Sequence, residues 1–272
     1  MRWLFGCLVT LGVVMTGAAA ADRKPKEADK VVLPDGGSSD EIIVRALSIP
    51  RDELPVNVRW APVDNTKINI AYERADMFLA CALTKASREW LRKAVEGPPD
   101  FASTQYAQGI IISTNWGCYP PPESSPPWDP ALAGQSFIGR GILLERTLRQ
   151  FAPDASLDAA QTFDPVVRGR FHKVETVHNR YRQNPELSGY VVAACLVQTQ
   201  PVLATRLVHA EQGSDLVRGL EQAMLVNSPE CLEGVKKLSI EPTTLRLYLV
   251  DAFYRWVLAV RNVPSLIPEG GA

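Results

Sequence analysis

The sequence predicts a mainly α, exported protein of two tandem helical-bundle repeats, each closed by one internal disulfide. Three observations predict it: a secretory-type N-terminus, four further cysteines at matched spacing, and apolar residues recurring with helical period. Of the 272 residues, 46% are hydrophobic and 22% charged, which supplies a sizeable core and argues against wholesale disorder. Lys+Arg 29 against Asp+Glu 30 leaves a formal net charge of −1. Such a balance gives nucleic acid no overall attraction, so none is expected as a partner.

Residues 1–21, MRWLFGCLVTLGVVMTGAAAA, read as a signal peptide: Arg2 is the positive start, residues 4–15 are apolar, and the small residues at 17–21 offer cleavage before Asp22. The apolar run is short for a bilayer span, which favours a cleaved signal over an uncleaved anchor and leaves no stable membrane span afterwards. Cys7 stands before most of the apolar core, a poor place for lipidation. Loss of the segment removes Arg2 and Cys7, leaving 28 basic against 30 acidic side chains and four cysteines. The expected location is periplasmic or secreted, where an even cysteine set pairs as disulfides. Residues 22–41 are charged and Gly/Pro-bearing, a flexible leader. In the N-terminal segment 42–71, stretches 56–60 and 67–71 alternate like strands around a turn-like 62–65, predicting a short β-hairpin near 56–71.

The duplication follows from register. Cys81 and Cys118 lie 37 positions apart, Cys195 and Cys231 lie 36 apart, and Leu79-Ala80-Cys81-Ala82-Leu83 answers Ala193-Ala194-Cys195-Leu196-Val197. After each second cysteine, Arg140, Glu145 and Arg149 answer Arg246, Asp251 and Arg255 at a constant offset of 106. Repeat 1 spans 72–152, repeat 2 spans 186–261, a linker occupies 153–185, and a tail follows at 262–272. In repeat 1 a helix over 71–95 stops at Gly97-Pro98-Pro99, and Ser103 caps a second running to about Thr114. In repeat 2 a helix over 187–200 gives way at Pro201 to another, which Gly213-Ser214 closes before a third running to about Val226. Leu245, Tyr248, Leu249, Ala252, Phe253, Trp256, Val257 and Val260 then form one apolar stripe. Glu145 with Arg149, and Asp251 with Arg255, read as surface or inter-helix ion pairs rather than catalytic groups.

Four cysteines allow three connectivities. The repeat selects Cys81–Cys118 and Cys195–Cys231, each clipping a hairpin of a helix, a turn and a returning helix. No close C-x-x-C pair suggests a metal site, and no cofactor is expected. His172, Glu175 and His178 do not converge on a regular helix or strand, so a polar linker is the better reading than a metal triad. Nucleophile-elbow, zinc-protease, P-loop and dinucleotide-binding motifs are missing, and Gly139-Arg-Gly141 reads as a close helix contact. A carboxylate pair for hydrolysis stays open, though nothing singles out two of the 30 acids.

The proline-rich segment 116–130 holds Trp116, Tyr119 and Trp128, the candidate contact surface. It makes the Cys118–Arg140 interval 22 positions, against 15 from Cys231 to Arg246. The bland alternative is a stiff loop whose aromatics turn back on their own domain.

The arrangement of Cys81, Cys118, Arg140, Glu145 and Cys195, Cys231, Arg246, Asp251 resembles uncharacterised exported bacterial proteins with a duplicated, cysteine-paired helical unit. Leu247 stands where Gly141 does in the first repeat, a departure from a shared pattern. The resemblance implies fold and location and adds no chemistry. The expected function is a non-catalytic interaction or scaffold module of the cell envelope, its partner another envelope protein or a glycan. The alternative is an envelope hydrolase with an unmarked carboxylate pair.

Overall fold

Helix boundaries in the computed structural model follow local chemistry, though not always where the sequence pattern put them. The structure describes residues 59–60, 66–119, 137–233 and 239–269. The segments expected to be a signal peptide and a leader, with Cys7, and Trp128 lie outside the described residues. The first part comprises α1 (Thr66–Ala82), α2 (Arg88–Glu96), α3 (Ala102–Thr114), a 3-10 turn at Trp116–Cys118 and α4 (Phe137–Phe151). After α5 (Ala159–Phe163) and α6 (Pro165–His178), the second part comprises α7 (Asn184–Thr199), α8 (Pro201–His209), α9 (Asp215–Val226), a 3-10 turn at Pro229–Leu232 and α10 (Pro242–Arg261). The protein is mainly helical.

The β-hairpin does not form. Residues 67–71 open α1, because Tyr72, Ala75 and Leu79 continue a buried helical face beyond the short alternating stretch. Strand β1 (Arg59–Trp60) instead pairs in parallel with the distant β2 (Ser239–Ile240). The single helix expected over 71–95 is broken at 83–87, where the Thr84 hydroxyl donates to Cys81 O at 2.7 Å. Each disulfide therefore clips three helices and a 3-10 turn, one helix more than the expected hairpin.

Capping is mixed. Ser103 is not a cap: α3 starts at Ala102, after Asp100 turns the chain with φ 58°. Ser214 does cap α9, accepting from Val217 N, but α8 ends at His209, short of Gly213 with its φ of 80°. Pro201 occupies the first turn of α8 as expected. In the unsettled 153–185 stretch, Asp158 and Gln161 form a capping box on α5, and Asp164 accepts from Val166 N and Val167 N on α6.

One hydrophobic cluster runs through both parts, with α10 at its centre against α7, α4, α6 and α8. Every residue from 245 to 259 is buried, so the polar side of its apolar stripe is covered too. The two parts pack in corresponding ways: α1 lies on α4 as α7 lies on α10, and α2 on α3 as α8 on α9. Where α4 crosses α10, a Cβ on Gly141 would stand 2.8 Å from the Leu247 side chain, so the glycine permits a close helix contact.

Candidate functional site

The chemistry-bearing side chains converge on the seam between α4, α6, α7 and α10. Arg140 on α4 donates to the carbonyls of Ala94 (2.9 Å), Val95 (3.2 Å) and Gly97 (3.1 Å), the open C-terminal end of α2. Arg246 on α10 does the same for α8, donating to Leu207 O at 2.8 Å and Ala210 O at 2.9 Å. Each guanidinium donates to carbonyls at a helix C-terminal end and adds positive charge at the negative end of a helix dipole. The acceptors correspond as well, Ala94 to Leu207 and Gly97 to Ala210, both 113 positions apart.

Glu145 receives Arg246 Nη2 at 2.7 Å and the Tyr72 hydroxyl at 2.7 Å, and it also pairs with Arg149. Burial and the Glu145 charge together push the Tyr72 phenol above its ordinary range. Asp251 accepts from Arg182 at 2.8 Å and lies 3.6 Å from Arg255. Burial alone would raise the Asp251 carboxyl, but Arg182, Arg140 and Arg255 outweigh it and hold the group well below the usual carboxylate range. Arg255 continues the network to Val95 O (2.7 Å) and Glu96 (3.2 Å), whose carboxylate also accepts from the Tyr254 hydroxyl at 2.5 Å. Both expected pairs, Glu145–Arg149 and Asp251–Arg255, are thus formed. Asp251 and Arg255 lie in the interior, both nearly fully buried, whereas fully buried Glu145 reaches out to an exposed Arg149.

Helix α6 divides the histidine motif. Glu175 and His178 turn inward, with His178 Nδ1 at 3.3 Å from Glu175 Oε1, whereas His172 faces out. Burial holds the His178 imidazole below its ordinary value despite the neighbouring carboxylate. For Glu175, burial is outweighed by His178 and Arg255, which keep it below the ordinary value. Among the described residues, no group of three or more His, Cys, Asp or Glu side chains could hold a metal ion.

A second acidic feature was invisible in the sequence. Asp100, in the left-handed turn after α2, lies near enough to Glu186, in the first turn of α7, for its charge to act on it. Burial and the Asp100 charge push Glu186 up to about 7, against Arg182 and Arg140, which draw it down. A carboxyl that titrates near neutrality has acid–base capacity. These acids lie 86 positions apart, and no local motif links them.

The cysteines pair as Cys81–Cys118 (S–S 2.08 Å) and Cys195–Cys231 (2.01 Å), as the spacing led us to expect. Each bond ties the last turns of α1 or α7 to the following 3-10 turn. Tyr119 turns back, its ring 4.8 Å from that of buried Phe78, while Trp116 leans on Tyr119 at 5.0 Å and stays 63% exposed. Elsewhere, Trp90, Lys93, Glu96, Tyr106 and Pro264 line an open cleft of about 590 Å³. Lys93 lies over the Trp90 ring and pairs with Glu89, and Arg92 pairs with Glu269, so the cleft's cations are already engaged. No known family model matches the chain, and no curated protein or solved structure matches it either.

Proposed function

We propose that the chain is a tandem duplication of one disulfide-clipped helical unit, working in the periplasm as a non-catalytic module that binds another envelope protein. The constant offsets, the corresponding helix pairs and the paired arginine caps support the duplication. The two disulfides fit an oxidising compartment. The observation that carries the interaction reading is a row of exposed valines on α6, the helix between the corresponding parts, with exposed Lys173 set among them. Val166 (65% exposed) and Val177 (46%) lie about 20° apart around the helix axis, and Val174 neighbours Val177 at i, i+3. Beyond the helix end, exposed Tyr181 packs at a tilt against exposed Phe101, ring centroids 4.8 Å apart, and adds two exposed aromatic side chains. By contrast, Arg140, Glu145, Asp251 and Arg255 are consumed by one another and by helix ends, which suits an architectural role.

The test is cross-linking of the full chain in intact envelopes, comparing the native protein with Val166→Lys/Val177→Lys. Loss of specific cross-links with unchanged thermal stability is expected, and identical cross-links in both would end the reading. Asp100–Glu186 is the observation that favours a hydrolase. That alternative requires turnover of envelope peptide or glycan that Asp100→Asn abolishes.

A further inference from the structure

We propose that Glu221 is held in the core as a neutral acid and acts as a built-in pH sensor, its ionisation loosening α9 from α8 and α10. Glu221 is fully buried on α9, and neither carboxyl oxygen has a hydrogen-bond partner among the described residues. The matching position, 113 residues earlier, is Gln108 on α3, whose Nε2 donates to Ala94 O at 3.5 Å. The carbonyl that corresponds to Ala94 O is Leu207 O. Each is also clamped by a guanidinium, Arg140 at 2.9 Å and Arg246 at 2.8 Å. An amide and an acid therefore occupy matching places on matching helices. A protonated carboxyl has nearly the shape of the amide and can donate as it does; a carboxylate can only accept.

The surroundings favour the neutral form. Charged groups on the elements packed against α9 include Arg206 and His209 on α8, Glu241, Arg246, Asp251, Arg255 and Arg261 on α10 and its cap, and Glu230 and Glu233 at the 3-10 turn; of these, Arg246 and Glu241 act on Glu221. Burial pushes the Glu221 carboxyl well above its ordinary value. Arg246 draws it back in part, and Glu241 adds to the rise. Arg246 is itself engaged by Glu145 and two carbonyls. The folded state thus keeps a proton that the unfolded chain releases near pH 4.5. Stability is fullest below that pH and falls as pH climbs toward the folded-state value.

Thermal denaturation of the oxidised full chain from pH 4.5 to 8 tests this, using the native protein, Glu221→Gln and the reciprocal Gln108→Glu. The midpoint of Glu221→Gln should exceed the native one by roughly 5 °C or more at pH 8, with the gap closing toward pH 4.5. Gln108→Glu should acquire an added alkaline decline, or fold only at acid pH. Infrared difference spectra should show a protonated-carboxyl stretch at pH 7 that Glu221→Gln removes. Parallel midpoint profiles for the native protein and Glu221→Gln, or no such stretch, would overturn the proposal.

Discussion

Replacing Gly141 by Ala tests the α4–α10 crossing directly. In an isolated helix this change stabilises by about 1 kcal/mol, because Gly gives up more backbone freedom on folding than Ala. At this crossing the new methyl would stand 2.8 Å from both Cβ and Cδ2 of Leu247, where ordinary contact begins at 3.4 Å. Leu247 is fully buried, and its Cβ is attached to the α10 backbone, so rotating the side chain does not clear the contact. The helices must move apart at the centre of the core, and such overpacking costs about 1–3 kcal/mol. That cost outweighs the propensity gain, giving a net loss of up to about 2 kcal/mol and a midpoint lower by roughly 4–8 °C for a domain this size. Gly169 on α6 has no atom within 4 Å of its Cβ position, so Gly169→Ala serves as the control and should gain close to the full propensity. Circular-dichroism melts of both variants with intact disulfides provide the assay. A Gly141→Ala protein as stable as the native one, or more so, would refute the close crossing.

Other perturbations probe the charge network and the staples. Glu145→Gln leaves Arg246 buried without its counter-charge and should cost about 3–5 kcal/mol in chemical denaturation, whereas Glu145→Gln with Arg246→Met should recover much of it. Asp251 is ionised far below the usual carboxylate range, so its contribution is complete above about pH 4 and lost as pH falls through its lower folded value. Acid titration followed by near-ultraviolet dichroism should accordingly show a shallower low-pH limb for Asp251→Asn. Asp100→Asn removes the charge beside Glu186, and carboxyl-carbon NMR should find the Glu186 midpoint falling from about 7 toward its ordinary 4.5. Removing both Cys81 and Cys118 reopens a loop of 37 positions and should cost up to about 4 kcal/mol by equilibrium denaturation, with Cys195–Cys231 still intact on non-reducing mass mapping.

Local chemistry was enough to establish the helical class, the disulfide partners, several helix starts and the two i, i+4 ion pairs, because each depends on residues close in the chain or on a regular offset. Pro201, Ser214 and the Glu145–Arg149 spacing act within one or two helical turns, so their effects can be read without a fold. Long-range geometry decided the rest. Residues 67–71 alternate like a strand, yet they belong to a helix because the face from Tyr72 to Leu79 needs a core to meet. Periodicity marks one buried side of α10, but helices packed around it bury Arg246, Asp251 and Arg255 as well, turning an apparent surface pair into an interior one. Asp100 and Glu186 meet only because a left-handed turn from one part of the chain reaches a helix start in the other. Burial and through-space charge depend on distance in three dimensions, and a linear sequence records only order.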